Sequence, residues 1–156
     1  MLSTLSSTDG AKPGARTQSA PGASGPRRSR PGGETILVAD DDAGVRYALA
    51  SALRRFGFRV IEAASGNDAV ALCQSELGPV DMVLADVVMP SLTTDELQAG
   101  LAAARPEAAL MFMSGYIHDE GVRRRVIHGP VPFMAKPFTV PELVERVRQL
   151  LRGTRT

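Results

Sequence analysis

Residues 82–90 read Met-Val-Leu-Ala-Asp-Val-Val-Met-Pro, an apolar run that holds a single carboxylate, Asp86. Met82 to Ala85 do not alternate between polar and apolar residues and have the length of a strand, which predicts a strand buried on both faces. Asp86 then lies where that strand ends. In open parallel α/β sheets, ligands and chemistry collect outside the carboxyl ends of the strands. Asp86 is therefore a candidate reactive residue, and the alternative is that it only caps the following turn.

Apolar segments on both sides of this strand predict four more strands, at Thr35–Ala39, Arg59–Ala63, Ala109–Met113 and Val131–Ala135. Helical spacing of apolar residues separates them. The first helix has Val45, Leu49, Ala52, Leu53 and Phe56 on one face and ends at Gly57; the second has Ala69, Val70, Cys73 and Leu77 on its inner face. A third follows Pro90, a fourth spans about 117–127, and the last begins near Thr139. Alternating strands and helices predict a doubly wound α/β fold, a parallel sheet with helices on both faces.

Composition predicts one ordinary globular domain with a tail. The chain has 156 residues, of which 44% are hydrophobic and 22% charged. The single cysteine, Cys73, excludes an intramolecular disulfide and a cysteine metal site. No apolar run reaches the length of a membrane span and no secretory signal is present, so we expect a cytoplasmic protein with no membrane span.

Residues 1–33 differ from the rest in composition. They hold five basic side chains and one acidic side chain, a net charge of +4, whereas the remainder holds 13 basic and 16 acidic side chains, a net charge of −3. A segment built largely of Pro, Gly, Ser, Ala and Thr buries too little apolar area to offset its ordering entropy, which predicts disorder. Its Arg27-Arg28-Ser29-Arg30 cluster is interpreted as a solvated arm, with contact to nucleic acid or acidic lipid as the alternative.

Polar residues follow four of the predicted strands: Asp40 and Asp41 after the first, Asp86 after the third, Ser114 after the fourth and Lys136 after the fifth. If the first and third strands are neighbours, three carboxylates converge. Two unit charges about 4 Å apart repel by roughly 4 kcal/mol at an effective dielectric constant of 20. Such a cluster binds protons or a hard cation, and oxygen ligands without Cys or His favour Mg²⁺.

This set of residues suggests a phosphoryl acceptor. A carboxylate can attack phosphorus and form an acyl phosphate, while Mg²⁺, the Lys136 ammonium and the Ser114 hydroxyl would neutralise charge on the transferred oxygens. Each residue also has a simpler explanation. Asp41 or Asp42 could cap the first helix, Ser114 could belong to a turn, and Lys136 could be solvated.

Residues 34–152 resemble the receiver domain of two-component response regulators. The resemblance lies in four motifs: Leu37 to Asp42 with Arg46 after them, Asp86 to Pro90, Met113 to Tyr116, and Phe133 to Phe138. It implies a flavodoxin-like fold of strand order 2-1-3-4-5 with five helices. It also implies that Asp86 takes phosphate from a phosphohistidine on a histidine kinase or a histidine phosphotransfer protein.

The resemblance implies roles for further residues. Asp41 would bind Mg²⁺ directly and Asp40 mostly through water, beside Asp86 and the carbonyl of Val88, while Ser114 and Lys136 would hold phosphoryl oxygens. The Lys136–Pro137 peptide is expected to be cis. On phosphorylation Ser114 would move towards the phosphoryl group and Phe133 would swing inwards, so that a surface of the fourth helix, fifth strand and fifth helix reports the state.

The loop after Pro90 departs from the family pattern. Many relatives have Asp-Gly where this chain continues Ser91-Leu92-Thr93-Thr94. Without that glycine a positive φ is harder to adopt, so we expect another loop conformation, or a helix cap from Thr93 or Thr94.

The segment after the last helix, 153–156, is a short tail that leaves no room for a DNA-binding domain. We therefore expect a receiver that acts alone, through an unknown downstream protein or as a phosphate relay or sink, and that catalyses only its own phosphorylation and dephosphorylation. Two alternatives stay open. One is a haloacid dehalogenase-like phosphatase, for which Asp40 and Asp42 fit but Gly44 does not; the other is a degenerate receiver that binds partners without phosphorylation.

Overall fold

The structure is a computed structural model that describes residues 33–75, 78–115 and 117–154. Strands and helices alternate along this part of the chain. The strands are β1 (Thr35–Ala39), β2 (Arg59–Ala63), β3 (Met82–Asp86), β4 (Ala109–Ser114) and β5 (Phe133–Ala135). The helices are α1 (Ala43–Arg55), α2 (Gly66–Gln74), α3 (Thr94–Ala104), α4 (Glu120–His128) and α5 (Val140–Gly153).

The five strands form one parallel sheet in the order β2-β1-β3-β4-β5. The predicted fold class and strand order are confirmed. The bounds of β1 and β2 agree with the sequence prediction, and β3 and β4 each extend one residue further. The predicted start of the fifth strand at Val131 is wrong, since β5 begins at Phe133.

Both faces of the sheet are covered, as the apolar runs of β1 and β3 require. All of β1 is buried, and so is β3 up to Ala85. One core cluster packs α1 and α5 against the sheet and includes Ile36, Leu53, Leu84, Met111 and Val147. The other packs α2, α3 and α4 against the opposite face and includes Leu37, Cys73, Val83, Leu101 and Val126.

Polar side chains begin each helix by accepting a backbone N–H that the helix itself cannot satisfy. Asp42 caps α1 and Ser65 caps α2. Thr93, one of the two threonines proposed for the role, caps α3 and forms a capping box with Glu96. The fourth helix begins at Glu120 rather than near Ile117, because the Asp119 carboxylate accepts the N–H of Val122.

The predicted inward position of Phe56 is wrong. Phe56 is 44% exposed, whereas Phe58 is 7% exposed and belongs to the core. The helix α1 ends at Arg55, one residue before Phe56, which is its C-cap. Gly57 then turns the chain with φ 92°. The turn directs Phe58 inwards instead. The predicted inner residue Leu77, the tail 1–32 and Tyr116 lie outside the described residues.

Ser91 has φ 82°, the one positive value for a residue other than glycine within the described ranges. The loop after Pro90 thus keeps a left-handed residue although the sequence has no glycine there. The Ser91 hydroxyl accepts a 3.1 Å hydrogen bond from the Asn67 amide. Among the described residues, no helix is both long and apolar enough to cross a membrane.

Candidate functional site

Three carboxylates meet at the carboxyl edge of the sheet. Ala39 of β1 pairs with Ala85 of β3, so the residues that follow, Asp40 and Asp86, emerge side by side. Together with Asp41 they place one oxygen each within 4.8 Å of one another. Asp40 is almost fully buried, Asp86 is half-buried and Asp41 is exposed, so this acidic cluster opens to solvent on the Asp41 side.

Lys136 joins the acidic cluster from the end of β5. Its Nζ donates hydrogen bonds of 3.2 Å to Asp40 Oδ2 and 3.1 Å to Asp86 Oδ2. Its backbone N–H donates a 2.8 Å hydrogen bond to the Ser114 carbonyl, which continues the β4–β5 pairing past the strand. The predicted cis peptide between Lys136 and Pro137 is confirmed. The simpler interpretation of Lys136 as a solvated side chain is therefore excluded.

The other carboxylate oxygens of Asp40 and Asp86 accept backbone donors. Asp40 Oδ1 accepts the N–H of Asp42 at 2.9 Å, and Asp86 Oδ1 accepts the N–H of Val88 at 2.8 Å. Asp86 thus caps the turn that follows it, as the simpler interpretation expected, and also faces the lysine. Each carboxylate is held from the backbone side and from the ammonium side, which fixes its orientation.

Burial and neighbouring charges act in opposite directions on this group. Burial raises the pKa of Asp86 above its usual value, the Val88 N–H and the Lys136 ammonium lower it in part, and the Asp40 carboxylate raises it again. Burial of the Lys136 ammonium lowers its pKa, but hydrogen bonds and charge from Asp86 and Asp40 outweigh that effect and leave the pKa raised. The lysine therefore stays charged while it compensates the carboxylates.

Asp41 and Asp42 have different positions. Asp42 Oδ1 accepts the N–H of Val45 at 3.0 Å and is the N-cap of α1, whereas Asp41 belongs to the acidic cluster. The helix cap that the sequence left open between them is thus assigned to Asp42. Asp41 is left for the cluster.

The remaining predicted site residues are Ser114, Val88 and Phe133, which lie on β4, in the loop after β3 and on β5. Ser114 is 1% exposed at the end of β4, one position beyond Met113, which pairs with Asp86. Val88 is 56% exposed in the loop after β3. Phe133, further from the carboxylates, is partly buried on β5 opposite Phe112 and packs against the core face that holds Val126.

One basic side chain beside the acidic cluster was not assigned a role from the sequence. Arg46 Nη1 donates a 2.8 Å hydrogen bond to the Asp40 carbonyl, and its Nε lies 3.7 Å from Glu62 Oε1. The spacing of Arg46 from Asp42 places it one turn into α1, where it can reach back to the loop. The partner Glu62 had no sequence signal, because it depends on the pairing of β1 with β2.

The ligand chemistry of the acidic cluster fits a hard divalent cation. Its donors are carboxylate oxygens from Asp40, Asp41 and Asp86, without sulfur or imidazole ligands in the group. Mg²⁺ prefers oxygen ligands and is held by one or two carboxylates together with water and phosphate oxygens. The residues present therefore suit Mg²⁺.

Comparisons with known proteins agree with this geometry. A family model for the response regulator receiver domain matches residues 36–148. Sensor kinase CckA of Brucella abortus (strain 2308) is 34% identical over 120 residues, which are 77% of this chain and 13% of that protein. DNA-binding transcriptional regulator NtrC of Rhizobium meliloti (strain 1021) is 35% identical over 112 residues, 72% of this chain and 23% of that protein.

Solved structures share the fold. The receiver domain from hybrid histidine kinase CckA has a TM-score of 0.62 and 30% identity, covering 75% of this chain and 98% of that chain. A response regulator receiver protein from Sinorhizobium medicae WSM419 has a TM-score of 0.68 and 26% identity, covering 78% of this chain and 97% of that one. The chain spans from 13% to 54% of the length of the first five curated relatives.

Proposed function

The chain belongs to the response regulator receiver domain family of two-component systems, and from this membership we propose that Asp86 accepts a phosphoryl group from a phosphohistidine of a partner protein. The observation that carries the proposal is the bridge from Lys136 Nζ to Asp40 and Asp86, at 3.2 and 3.1 Å, beside the Asp41 carboxylate. A nucleophilic carboxylate, a fixed cation and further oxygen ligands are what phosphoryl transfer to Asp requires.

In the proposed step an Asp86 carboxylate oxygen attacks phosphorus, the new P–O bond forms, and the P–N bond to the donor imidazole breaks. The electron pair of that bond stays with the imidazole nitrogen. The Val88 N–H and the Lys136 ammonium hold the two oxygens of Asp86, so the nucleophile is oriented before the donor arrives. The ammonium then faces the phosphoryl oxygens as their charge enters the site.

Asp40, Asp41, Asp86 and the Val88 carbonyl would hold Mg²⁺, which when bound supplies positive charge to the phosphoryl oxygens. Asp40 is buried and tied to Lys136 and to the Asp42 N–H, so it is the most constrained of these residues. Asp41 is exposed and is the most solvent-accessible of the three carboxylates. Its proposed role is therefore direct contact with the ion.

We also propose that Ser114 and Phe133 report phosphorylation. Ser114 is buried at the end of β4 and its hydroxyl would donate to a phosphoryl oxygen, because β4 ends beside Asp86. Phe133 is only partly buried and carries no hydroxyl, so moving further into the core face behind Phe112 would bury apolar area without the cost of a polar group. The changed surface around α4, β5 and α5 would bind a downstream protein.

The partner chemistry follows from the donor: a histidine kinase or a histidine phosphotransfer protein would present the phosphohistidine. Action as a single receiver, relay or phosphate sink stays a prediction from the sequence. Family membership leaves the haloacid dehalogenase-like alternative without support. The degenerate receiver is the alternative that the experiment below separates from the proposal.

The test is the intact mass of the protein after incubation with acetyl phosphate and Mg²⁺. We expect wild type to gain one phosphoryl group and Asp86→Asn to gain none. Asp119→Asn is the matched control, since it removes a carboxylate at a helix N-cap, where Asn caps as well as Asp. Failure of wild type to gain mass, or equal labelling of Asp86→Asn, would refute Asp86 as the acceptor.

A further inference from the structure

Arg46 links the backbone of the acidic cluster to the neighbouring strand. Its Nη1 donates a 2.8 Å hydrogen bond to the carbonyl of Asp40, and its Nε lies 3.7 Å from Glu62 Oε1 on β2. The two side chains are 19% and 30% exposed, so neither is a freely solvated surface group. The guanidinium therefore lies between a main-chain oxygen of the cluster and a carboxylate outside it.

The carbonyl that Arg46 binds belongs to the peptide unit between Asp40 and Asp41. A peptide unit is planar, so holding its oxygen restrains the plane and thereby the position of the Asp41 Cα, from which the Asp41 side chain leaves the backbone. The rest of Asp40 is already held, since its N–H donates a 3.1 Å hydrogen bond to the Ala63 carbonyl and its carboxylate accepts a 3.2 Å hydrogen bond from Lys136 Nζ. Arg46 thus holds the peptide unit that joins the buried Asp40 to the exposed Asp41.

Glu62 holds the guanidinium from the other side and also binds a second arginine. Arg54 Nη2 lies 3.1 Å from Glu62 Oε2 and donates a 3.1 Å hydrogen bond to the Val60 carbonyl. Arg46 and Arg54 therefore share one carboxylate and each binds one main-chain carbonyl. Arg46 binds the carbonyl of Asp40, whereas Arg54 binds the carbonyl of Val60.

We propose that Arg46 is a positioning residue for the cation site: through the Asp40 carbonyl, and supported by Glu62, it sets the Asp40–Asp41 peptide so that both carboxylates point at one ion. This proposal rests on the function proposed above, and it adds a residue that touches neither the ion nor the phosphoryl group. Partners that orient the ligands of a metal ion typically contribute about tenfold or more to affinity.

The positive charge of Arg46 and its hydrogen bond to Asp40 have opposite expected effects on Mg²⁺ affinity. Whether removal of Arg46 raises or lowers that affinity therefore decides between them. The positive charge of Arg46 near the cluster repels a divalent cation, so removing it would strengthen Mg²⁺ binding if charge dominated. Loss of the hydrogen bond to Asp40 would weaken Mg²⁺ binding if orientation dominated. The proposal requires the second result.

The experiment is titration calorimetry of the full chain with MgCl₂ for wild type, Arg46→Ala, Arg46→Lys and Arg54→Ala. We expect Arg46→Ala to lower the affinity about tenfold, and Arg46→Lys, which keeps the charge but cannot bridge both oxygens in the same way, to lower it less. Arg54→Ala should stay within about twofold of wild type, because it loses the Glu62 contact and a carbonyl bond but leaves Asp40 untouched.

A second measurement separates positioning from a general loss of structure. The rate of labelling by acetyl phosphate should reach the wild-type maximum in Arg46→Ala at high Mg²⁺, with only the Mg²⁺ midpoint shifted. Unchanged or tighter Mg²⁺ binding in Arg46→Ala would overturn the proposal, as would an equal loss in Arg54→Ala. Should Arg46→Ala not fold, Arg46→Met, which keeps much of the length of the side chain and removes its charge and its donors, replaces it with the same expected loss of Mg²⁺ affinity; absence of Mg²⁺ binding by wild type would instead remove the proposed cation site itself.

Discussion

Lys136 Nζ lies 3.1 Å from Asp86 Oδ2, although 50 positions of the chain separate the two residues. The contact exists because both residues follow strands of one parallel sheet and emerge at the same edge. The same ammonium lies 3.2 Å from Asp40, so it compensates two carboxylates at once. A group placed in this way can later turn to phosphoryl oxygens without leaving the site.

Lys136→Ala is therefore expected to lower the rate of Asp86 labelling by acetyl phosphate by about a hundredfold or more, because a fixed cation is lost where phosphoryl charge enters. Intact mass against time measures the rate, and circular dichroism checks the fold. Lys12, the other lysine of the sequence, is the matched control, and Lys12→Ala should label at the wild-type rate. Labelling of Lys136→Ala at a rate close to wild type would contradict the role given to the ammonium.

Alkaline stability should also depend on Lys136. Contacts with Asp86 and Asp40 raise its pKa above the usual value despite burial. Because the folded pKa lies above the unfolded one, the contribution of this lysine is complete below the unfolded pKa and is lost as pH rises through the folded pKa. The gap in the free energy of unfolding between wild type and Lys136→Met, measured by urea denaturation, should therefore shrink in that alkaline range.

Lys12→Met provides the reference for that series, since it removes the other lysine of the sequence. A gap between wild type and Lys136→Met that stays constant across the alkaline range would mean that the ion pairs contribute nothing that depends on protonation.

The fold could be predicted because its determinants are local. The apolar runs of β1 and β3 have no polar face, which requires helices on both sides of the sheet. The errors arose where a local pattern continued past the end of an element. Phe56 fits the helical period but lies after α1 has ended, and residues 131–132 fit a strand but precede the first residues of β5 that pair with β4.

The site was predictable in part for the same reason. Asp40, Asp86 and Lys136 follow strands directly, so strand order alone brings them together. The contact between Arg46 and Glu62 needs two further conditions. Glu62 must pair with Val38 in register, and the Arg46 side chain must point back from α1 towards the loop. Register and side-chain direction are tertiary properties, and no spacing in the sequence specifies them.

Arg105 supplies a stability prediction away from the site. Its guanidinium donates hydrogen bonds to the carbonyls of Cys73, Ser75 and Gly78 at 2.8, 3.0 and 3.1 Å, and so ties the end of α2 to the end of α3. Arg105→Ala leaves these acceptors without the donor and should lower the free energy of unfolding by about 2 kcal/mol. Urea denaturation measures the loss.

An exposed arginine is the control for Arg105. Arg124 pairs with Glu120 at 3.3 Å on the surface of α4, and Arg124→Ala should cost less than about 0.5 kcal/mol. Neither variant should change Mg²⁺ affinity, since the contacts of these two side chains do not include a residue of the acidic cluster. Equal costs for the two substitutions would show that the Arg105 hydrogen bonds are worth no more than a surface ion pair.

The cost of crowding three carboxylates within 4.8 Å can be measured by removing the exposed one. Asp41→Asn keeps the size of the side chain and removes its charge. The free energy of unfolding of the metal-free protein should therefore rise by about 1 kcal/mol, which is the repulsion of two charges about 4 Å apart in water. Mg²⁺ should raise the melting temperature of wild type but not of Asp41→Asn.

Asp42→Asn is the control, because it removes a carboxylate that lies next to the acidic cluster but caps α1, where Asn caps equally well. Its melting temperature should still rise with Mg²⁺. Calorimetry of the three proteins with and without Mg²⁺ gives all six values. A metal-free wild type more stable than metal-free Asp41→Asn would mean that Lys136 compensates the cluster fully, and the repulsion would then not be what makes the site bind a cation.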